Sequence, residues 1–312
     1  MPRGTFSLKV YVIEQFMSNN PMAPPKISII IVSWNVRALL QANLERLFSL
    51  SCKYSFEVFV VDNGSHDGSA KMVRELFPAV HLITNDWDAG FAGPNNQALR
   101  LVKGDVVLLL NPDMLVEDGA LDVTYETLMA DRSIGVLGVR LVGQDGKPIK
   151  NVRRYPDFFS QLVILLKLGH LFPHLLRSYM CEDFNYAKTQ DVDQVRGSFF
   201  AFRRELLDTV GTLDAGFHIW FEEVDYCRRV KLAGLRVVYL ADVAARDYVG
   251  RGMAQMKHFE KQLIFSASMI RYFKKYHPWW QTAVLVAARP IGLIGALIAD
   301  GFVAIGKPLT RV

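Results

Sequence analysis

The sequence predicts an α/β fold, Rossmann-like, with a mainly parallel central sheet flanked by helices and a C-terminal helical, membrane-associating segment. Three observations carry that expectation. Over residues 27–116, four short apolar runs alternate with helix-spaced segments, the β-α-β order that closes into a doubly wound sheet. Each run stops at a polar loop rich in Asn, Asp, Gly or Pro, and right-handed crossovers bring such loops to one sheet edge. Beyond residue 256 the composition changes to a basic helix, a Trp pair and a long apolar stretch. The expected organisation is therefore an extension over 1–25, one α/β domain over 26–255 and a helical region over 256–312.

The first run, ISIIIVS at 27–33, is continuous and β-branched, as a strand buried on both faces requires. Leu39, Leu40, Leu44, Leu47 and Phe48 then recur at helical spacing within 36–50. FEVFVV at 56–61 is a second strand, and it ends in the polar loop DNGSHDGS at 62–69. A helix over 70–77 stops at Pro78, a third strand covers 80–84, and a short amphipathic helix surrounds 95–101. The central run VVLLL breaks at Asn111-Pro112-Asp113, because proline cannot donate to a sheet ladder. Helix is expected over 117–131, strand over 134–141, a hairpin-type turn at 144–147, strand over 194–203 and a short helix over 204–210. Residues 150–190 are irregular and hold Arg153, Arg154 and the apolar stretch 158–172, suited to a lid on the acceptor side or a membrane-facing surface. A strand over 235–240 is followed by a loop over 241–252 that carries Arg246, Asp247 and Arg251.

The bulk numbers narrow the class. The chain has 312 residues, 51% hydrophobic and 21% charged, which suffices for a large core and excludes global disorder. A net charge of +5 suits an anionic partner, whether nucleotide, membrane surface or nucleic acid, without choosing among them. Cys52, Cys181 and Cys227 are far apart, form no metal-type spacing and fit a reducing compartment. No GxGxxG follows the first strand, which argues against a dinucleotide-dependent dehydrogenase. In the tail, a helix over 257–276 ends in Arg271, Lys274 and Lys275, and Trp279-Trp280 precedes the apolar segment 282–305. Arg289-Pro290 divides that segment into halves too short to span a bilayer, and a central arginine is costly in lipid. Association parallel to a membrane surface is expected, with a buried core helix and a true span as the alternatives.

Two clusters carry the chemistry. Asp113 and Asp62 each end a predicted strand at the ligand edge, where a carboxylate is placed to hold a hard cation or a ribose hydroxyl; ordinary Asx turns use the same residues. In FHIWFEEVDYCRR at 217–229, Glu222, Glu223 and Asp225 cannot share one helix face. One or two therefore point into a cleft while another pairs with Arg228 or Arg229, and a carboxylate beside Trp220 and Phe221 acquires the raised pKa of a general base. The plainer alternative is an acidic helix start favoured by the helix dipole.

Taken together, SWNVRALL (33–40), VVDNGSHDGS (60–69), DAGFAGPNNQAL (88–99), LLLNPDMLV (108–116) and FEEVDYCRR (221–229) resemble the family 2 glycosyltransferases, in particular their rhamnosyltransferase-like branch, over 27–252. The resemblance implies a GT-A fold, inversion at the anomeric carbon, Mg²⁺ or Mn²⁺, a nucleotide-sugar donor (dTDP- or UDP-linked) and a saccharide or lipid-linked acceptor. It further implies action at the cytoplasmic face of the cell membrane, peripheral or monotopic, with no nucleic acid partner. Carried onto this chain, it makes Asp113 and Asp247 the metal ligands and Glu223 the catalytic base. The substrate-binding set is Ser33, Asn35, Asp62, Asn63, Asp88, Gly90, Asn111, Trp220 and Glu222. Three positions depart from the family pattern: Glu222-Glu223 replaces Glu-Asp, Asp88 replaces an Asn, and Asp247 replaces a His. Arg153, Arg196 and Arg251 are additional cations available to phosphates. A non-catalytic nucleotide-binding protein of the same fold is the alternative reading; a nucleotidyltransferase is disfavoured, since no Gly- and Arg-rich triphosphate loop follows the first strand.

Overall fold

The computed structural model describes residues 10–11, 24–248 and 255–306, with side chains over 24–248 and 255–301. The strands are β1 (Val10–Tyr11), β2 (Ile27–Ser33), β3 (Phe56–Asn63), β4 (His81–Asn85), β5 (Val106–Leu110), β6 (Met114–Val116), β7 (Ile134–Val142), β8 (Gln190–Asp191), β9 (Phe199–Arg203) and β10 (Arg236–Asp247). The helices are α1 (Arg37–Ser49), α2 (Ser69–Leu76), α3 (Ala92–Leu99), α4 (Ala120–Ala130), α5 (Phe158–Leu165), α6 (Leu206–Thr209), α7 (Glu222–Leu232), α8 (His258–Tyr276) and α9 (Trp279–Gly306). One sheet runs in the order β1-β4-β3-β2-β5-β9-β7-β10-β6, with β8 paired to β10. Of the extension expected over 1–25, Val10–Tyr11 forms an edge strand against β4, and the remainder to residue 23 lies outside the described residues.

The α/β expectation holds, with the parallel register confined to part of the sheet. Strands β4, β3, β2 and β5 are parallel neighbours, as the β-α-β order requires. Strand β9 is antiparallel to both β5 and β7. Its direction follows from where the chain arrives. Residues 150–198 return the backbone to the edge where β5 ends, so Leu110 pairs with Phe199 and the strand runs back towards Val106 opposite Arg203. The apolar side chains divide between the two faces, with Ile29, Ile31, Leu44, Val60 and Leu108 on one and Ile30, Val61, Leu109, Phe202 and Tyr226 on the other. Burial on both faces explains why these strands read as unbroken apolar runs.

Two boundaries correct the sequence expectation. The segment expected as a loop over 241–252 continues as strand through Asp247, with a register shift between Leu240 and Ala244. Its far half pairs with β6, so strand resumes at Met114–Val116 beyond the break at Pro112, and α4 begins at Ala120 rather than at 117. The apolar tail is also not divided at Arg289-Pro290: α9 is continuous across Pro290. Arg289 turns its guanidinium onto α8, donating to Ser266 Oγ at 3.0 Å and Leu263 O at 3.3 Å. Asp300, near the other end of α9, accepts from the His258 and Phe259 amides, supplying a negative charge at the N-terminus of α8. The stretch Trp279–Gly301 is long and apolar enough to cross a bilayer, but it is two-faced. Thr282, Leu285 and Ala296 are buried, whereas Ile291, Ile294, Leu297 and Ile298 are exposed. Gly292 lets α5 and α9 approach closely, since a Cβ there would lie 2.4 Å from the Leu165 carbonyl.

One buried cation fastens β9 to the end of α4. Arg203, 3% exposed, donates to the carbonyls of Leu128 (3.1 Å), Arg132 (2.9 Å) and Ile134 (2.6 Å) and pairs with Glu205 at 2.7 Å. These are the orphan carbonyls that a helix end and the following turn leave unsatisfied. Arg203→Met removes the donors and leaves the carbonyls buried; the expected cost is about 3 kcal/mol, read as a lower urea midpoint at unchanged slope.

Candidate active site

Asp113 is held from three directions. Pro112 ends β5, and the turn closes with the Met114 amide on the Asn111 carbonyl at 3.2 Å. Asn43 of α1, 1% exposed, donates through Nδ2 to the carbonyls of Asn111 (3.1 Å) and Met114 (2.7 Å), gripping both ends of the turn. The Tyr248 amide donates to the Asp113 carbonyl at 3.1 Å. In the β6–β10 register Asp247 stands opposite Met114, so Asp113 and Asp247 lie side by side although 134 positions apart, as their numbers differ. Asp247 is 2% exposed and pairs with Arg196 Nη1 at 3.1 Å.

Asp113, Arg196, Trp220, Glu222 and Glu223 line one cleft of about 210 Å³. Among the described residues no three Asp, Glu, His or Cys side chains gather into a cage for an ion. Asp113 at the cleft, with Asp247 beside it in the β6–β10 register, nevertheless fits a divalent cation such as Mg²⁺ or Mn²⁺. Such ions are commonly held by one or two carboxylates, with substrate phosphate oxygens and water completing the shell.

The opposite wall comes from the start of α7. Trp220 and Phe221 both occupy left-handed backbone, with φ of 67° and 70°. For bulky residues that conformation is strained and persists only where the surroundings enforce it. The enforcing contacts are with α8. Ser268 Oγ donates to the Ile219 carbonyl at 2.9 Å, and buried Asp225 accepts from Lys275, from Tyr276 OH at 2.8 Å and from Arg229 Nε at 2.9 Å. With Asp225 committed to cations and α8, Glu222 and Glu223 face the cleft. Glu222 is 4% exposed, Glu223 half-buried, and each has an Oε2 with no hydrogen-bond partner. Burial raises the pKa of both, and the neighbouring Glu223 charge raises Glu222 further.

The remaining sequence candidates divide into two groups. Asn63, Asp88, Gly90 and Asn111 reach the cleft. Much of the polar capacity of Asn63 and Asp88 goes into the loop itself: Asn63 Nδ2 donates to Asp88 Oδ1 and to the Gly90 carbonyl at 2.9 Å, and the Gly90 amide donates to Asp88 at 2.9 Å. Gly90, at φ 77°, permits a close approach, since a Cβ there would meet the His218 carbonyl at 2.1 Å. Ser33, Asn35 and Asp62 do not line this cleft. Asn35 Oδ1 accepts the His66 amide at 2.8 Å and so ties two loops together. Ser33 and Asp62 are register partners at the ends of β2 and β3. Each retains a buried oxygen without a partner, and burial raises the Asp62 pKa. Sequence reasoning missed Asn43 and Ser198, although Asn43 left a signal as a lone amide among the buried Leu40, Leu44 and Leu47 of α1. Arg196 joins the cleft, Arg153 lines the neighbouring cavity, and Arg251 lies outside the described residues.

The family profile "Glycosyl transferase family 2" matches residues 28–211. The N-acetylglucosaminyl-diphospho-decaprenol L-rhamnosyltransferase of Mycobacterium tuberculosis is 24% identical over 261 residues, covering 77% of this chain and 82% of that protein. The O-antigen biosynthesis protein RfbC of Myxococcus xanthus is 26% identical over 222 residues, 70% of this chain. The chain spans only 17% of RfbC and 25% of a further relative from Sinorhizobium fredii. Among solved structures, the mannosyltransferase PcManGT of Pyrobaculum calidifontis, in complex with GDP-Man and Mn²⁺, superimposes with a TM-score of 0.55 at 21% identity. That match covers 93% of this chain and 78% of the other. The likeness shows a shared GT-A fold. With the profile extending over more than half of its length, the chain belongs to glycosyl transferase family 2.

Proposed function

We propose that this chain is an inverting, metal-dependent glycosyltransferase that moves a sugar from a nucleotide-sugar donor to a hydroxyl of a lipid-linked saccharide. The observation that carries the reading is the pair of walls across one cleft, Asp113 with Asp247 nearby on one side and the half-buried Glu223, whose Oε2 has no hydrogen-bond partner, on the other. The names of the relatives support the acceptor class, since the mycobacterial one acts on a diphospho-decaprenol-linked sugar. In this reading Asp113 and Asp247 hold Mg²⁺ or Mn²⁺, which when bound neutralises charge on the departing diphosphate. Ser33 Oγ and Asp62 Oδ1, both buried without partners, serve the nucleoside of a dTDP- or UDP-sugar. Arg196 adds a fixed cation at the same wall.

Glu223 performs the proton transfer. The acceptor hydroxyl oxygen bonds to the anomeric carbon as the bond from that carbon to the diphosphate oxygen breaks, and the hydroxyl proton passes to the Glu223 carboxylate. One displacement of this kind inverts the configuration. Burial raises the Glu223 pKa, which makes its carboxylate a better base than that of a solvated glutamate. Glu222, more deeply buried, has its pKa raised further by burial and by the Glu223 charge.

The tail supplies the location. The exposed Trp279, Ile291, Ile294, Leu297 and Ile298 of α9, with Phe159 of α5 and Leu171 beyond it, are suited to lie at a bilayer surface, here the cytoplasmic face. The Arg196–Asp247 pair favours a second reading, a nucleotide-binding protein without turnover, in which a protein cation occupies the second metal carboxylate.

The deciding assay is nucleoside-diphosphate release from a panel of nucleotide sugars with membrane lipid extract and Mg²⁺, Mn²⁺ or EDTA. EDTA-sensitive release with one donor supports transfer; donor binding by calorimetry with no release selects the second reading. Glu223→Gln is expected to lower kcat about 10²- to 10⁴-fold with donor KM nearly unchanged, whereas Asp113→Asn abolishes the metal response. The pH profile of kcat/KM should fall on acidification through a midpoint above the ordinary glutamate value and keep that limb in Glu222→Gln. Because burial raises the Glu222 pKa, the native state holds its proton more tightly and loses stability as pH rises above the unfolded value. Glu222→Gln should therefore raise the thermal midpoint at pH 8 and change it little below the ordinary glutamate pKa. Ile294→Lys with Leu297→Lys should reduce cosedimentation with anionic phosphatidylglycerol vesicles severalfold while donor binding persists; unchanged cosedimentation would remove the membrane assignment.

A further inference from the structure

Glu223 stands between two cavities. One is the Asp113 cleft; the other, of about 200 Å³, receives Lys150, Arg153 and Arg196 beside Asn151, Trp220 and Phe265. Arg196 and Trp220 line both. Three cations and one carboxylate, Glu223, line the second cavity, and Arg196 is already paired with Asp247. Among the described residues, neither Lys150 nor Arg153 has a carboxylate within ion-pair distance, although the adjacent Arg154 pairs with Asp193 at 3.9 Å. Arg153 is held in place by its own loop, since Nη1 donates to the carbonyls of Lys150 (2.8 Å) and Val152 (2.7 Å). That leaves the rest of its planar fork available to an anion. Asn151, 6% exposed, donates through Nδ2 to the Val139 carbonyl at 3.2 Å, while its Oδ1 is buried with no partner. An unpaired buried amide oxygen is costly unless a ligand donor reaches it.

The cavity also has a continuation. Trp220 and Phe265 line a third cavity, of about 480 Å³, bounded by Ile164 of α5 and by Lys261 of α8. Both helices pack on α9, whose outer face is apolar. The two adjoining cavities therefore bring together Glu223, a buried amide, the cations Lys150 and Arg153, two aromatic rings and helices that pack on the apolar α9. That set of surfaces matches a saccharide hydroxyl, a phosphate linkage and a hydrocarbon chain.

The geometry points to the cavity beyond Glu223 as an acceptor subsite in which Lys150 and Arg153 hold the diphosphate of a lipid-linked saccharide, its lipid leaving past Trp220 and Phe265 towards the α5–α9 surface. The assignment rests on the glycosyltransferase reading for its ligand class, and its test is a binding measurement that requires no turnover. Geranyl diphosphate is titrated into the full chain in EDTA by calorimetry, with geranyl β-glucoside as the uncharged counterpart. Titration of UDP and dTDP with Mn²⁺ on the same samples tests the donor reading separately. Lys150→Ala with Arg153→Gln is expected to weaken geranyl diphosphate about tenfold or more and to leave the glucoside and the nucleotides unchanged. Lys150→Ala alone, at an exposed position, gives a smaller loss in the same direction and keeps the test valid should the double variant fail to fold. Wild-type affinity for the diphosphate in both variants, equal loss for the glucoside, displacement of the probe by UDP with Mn²⁺, or no binding to the wild type would each overturn the assignment.

Discussion

The antiparallel pairing of Met114–Val116 with the far half of Arg236–Asp247 is the contact on which the site depends. A three-residue strand is a weak unit by itself. Here it is reinforced from behind by Asn43, which holds the preceding turn through two carbonyls, and from above by the Tyr248 amide on the Asp113 carbonyl. The arrangement brings two aspartates from distant parts of the chain to one corner of the sheet. Such a corner is electrostatically unfavourable without cations, and Arg196 on Asp247 supplies one of them.

The second wall is organised by charge as well, in the opposite sense. Asp225 is fully buried and saturated by Arg229, Lys275 and Tyr276, so it fixes the rotation of α7 against α8. Glu222 and Glu223, three and two positions earlier, make no such ion pairs, and burial raises the pKa of both. Three carboxylates within four positions thus have two environments, set by which side of the helix meets the basic end of α8. The strained Trp220-Phe221 backbone is the cost of aiming the helix start into the cleft, and the packing of Phe221 against Phe265 and Tyr272 holds it there. The C-terminal hairpin therefore contributes to the site itself, in addition to the apolar surface it presents.

Much of this was legible along the chain. The parallel strands β2 to β5 and the helices between them appear as apolar runs and helical spacing because burial on two faces and on one stripe leaves different periodicities. Asp113 was legible because proline ends a strand wherever it falls. That one of the three carboxylates pairs with Arg228 or Arg229 was legible from helix geometry; the structure makes it Asp225 with Arg229, an i, i+4 pair. Less was legible where one segment decides another's conformation. Residues 241–247 carry no strand signal distinct from a loop, and β6 is too short to have a period. Both become strand because each finds the other. Arg289 was read as an interruption, yet a helix tolerates it once Ser266 and Leu263 accept its protons.

The sequence alone determined the α/β class, the family-type motifs and the residues able to carry acid–base and metal chemistry, since these follow from local periodicity and from side-chain type. The tertiary structure decided the antiparallel course of β9, the meeting of Asp113 with Asp247 and the pairing of Asp247 with Arg196. It also decided which glutamate oxygens lack hydrogen-bond partners and that Lys150 and Arg153 share a cavity with Glu223. The physical reason is that direction, pairing and desolvation are properties of neighbours in space. Strand direction depends on where the chain re-enters the sheet, and a carboxylate's proton affinity depends on what surrounds it. Neither is encoded within the few residues on either side.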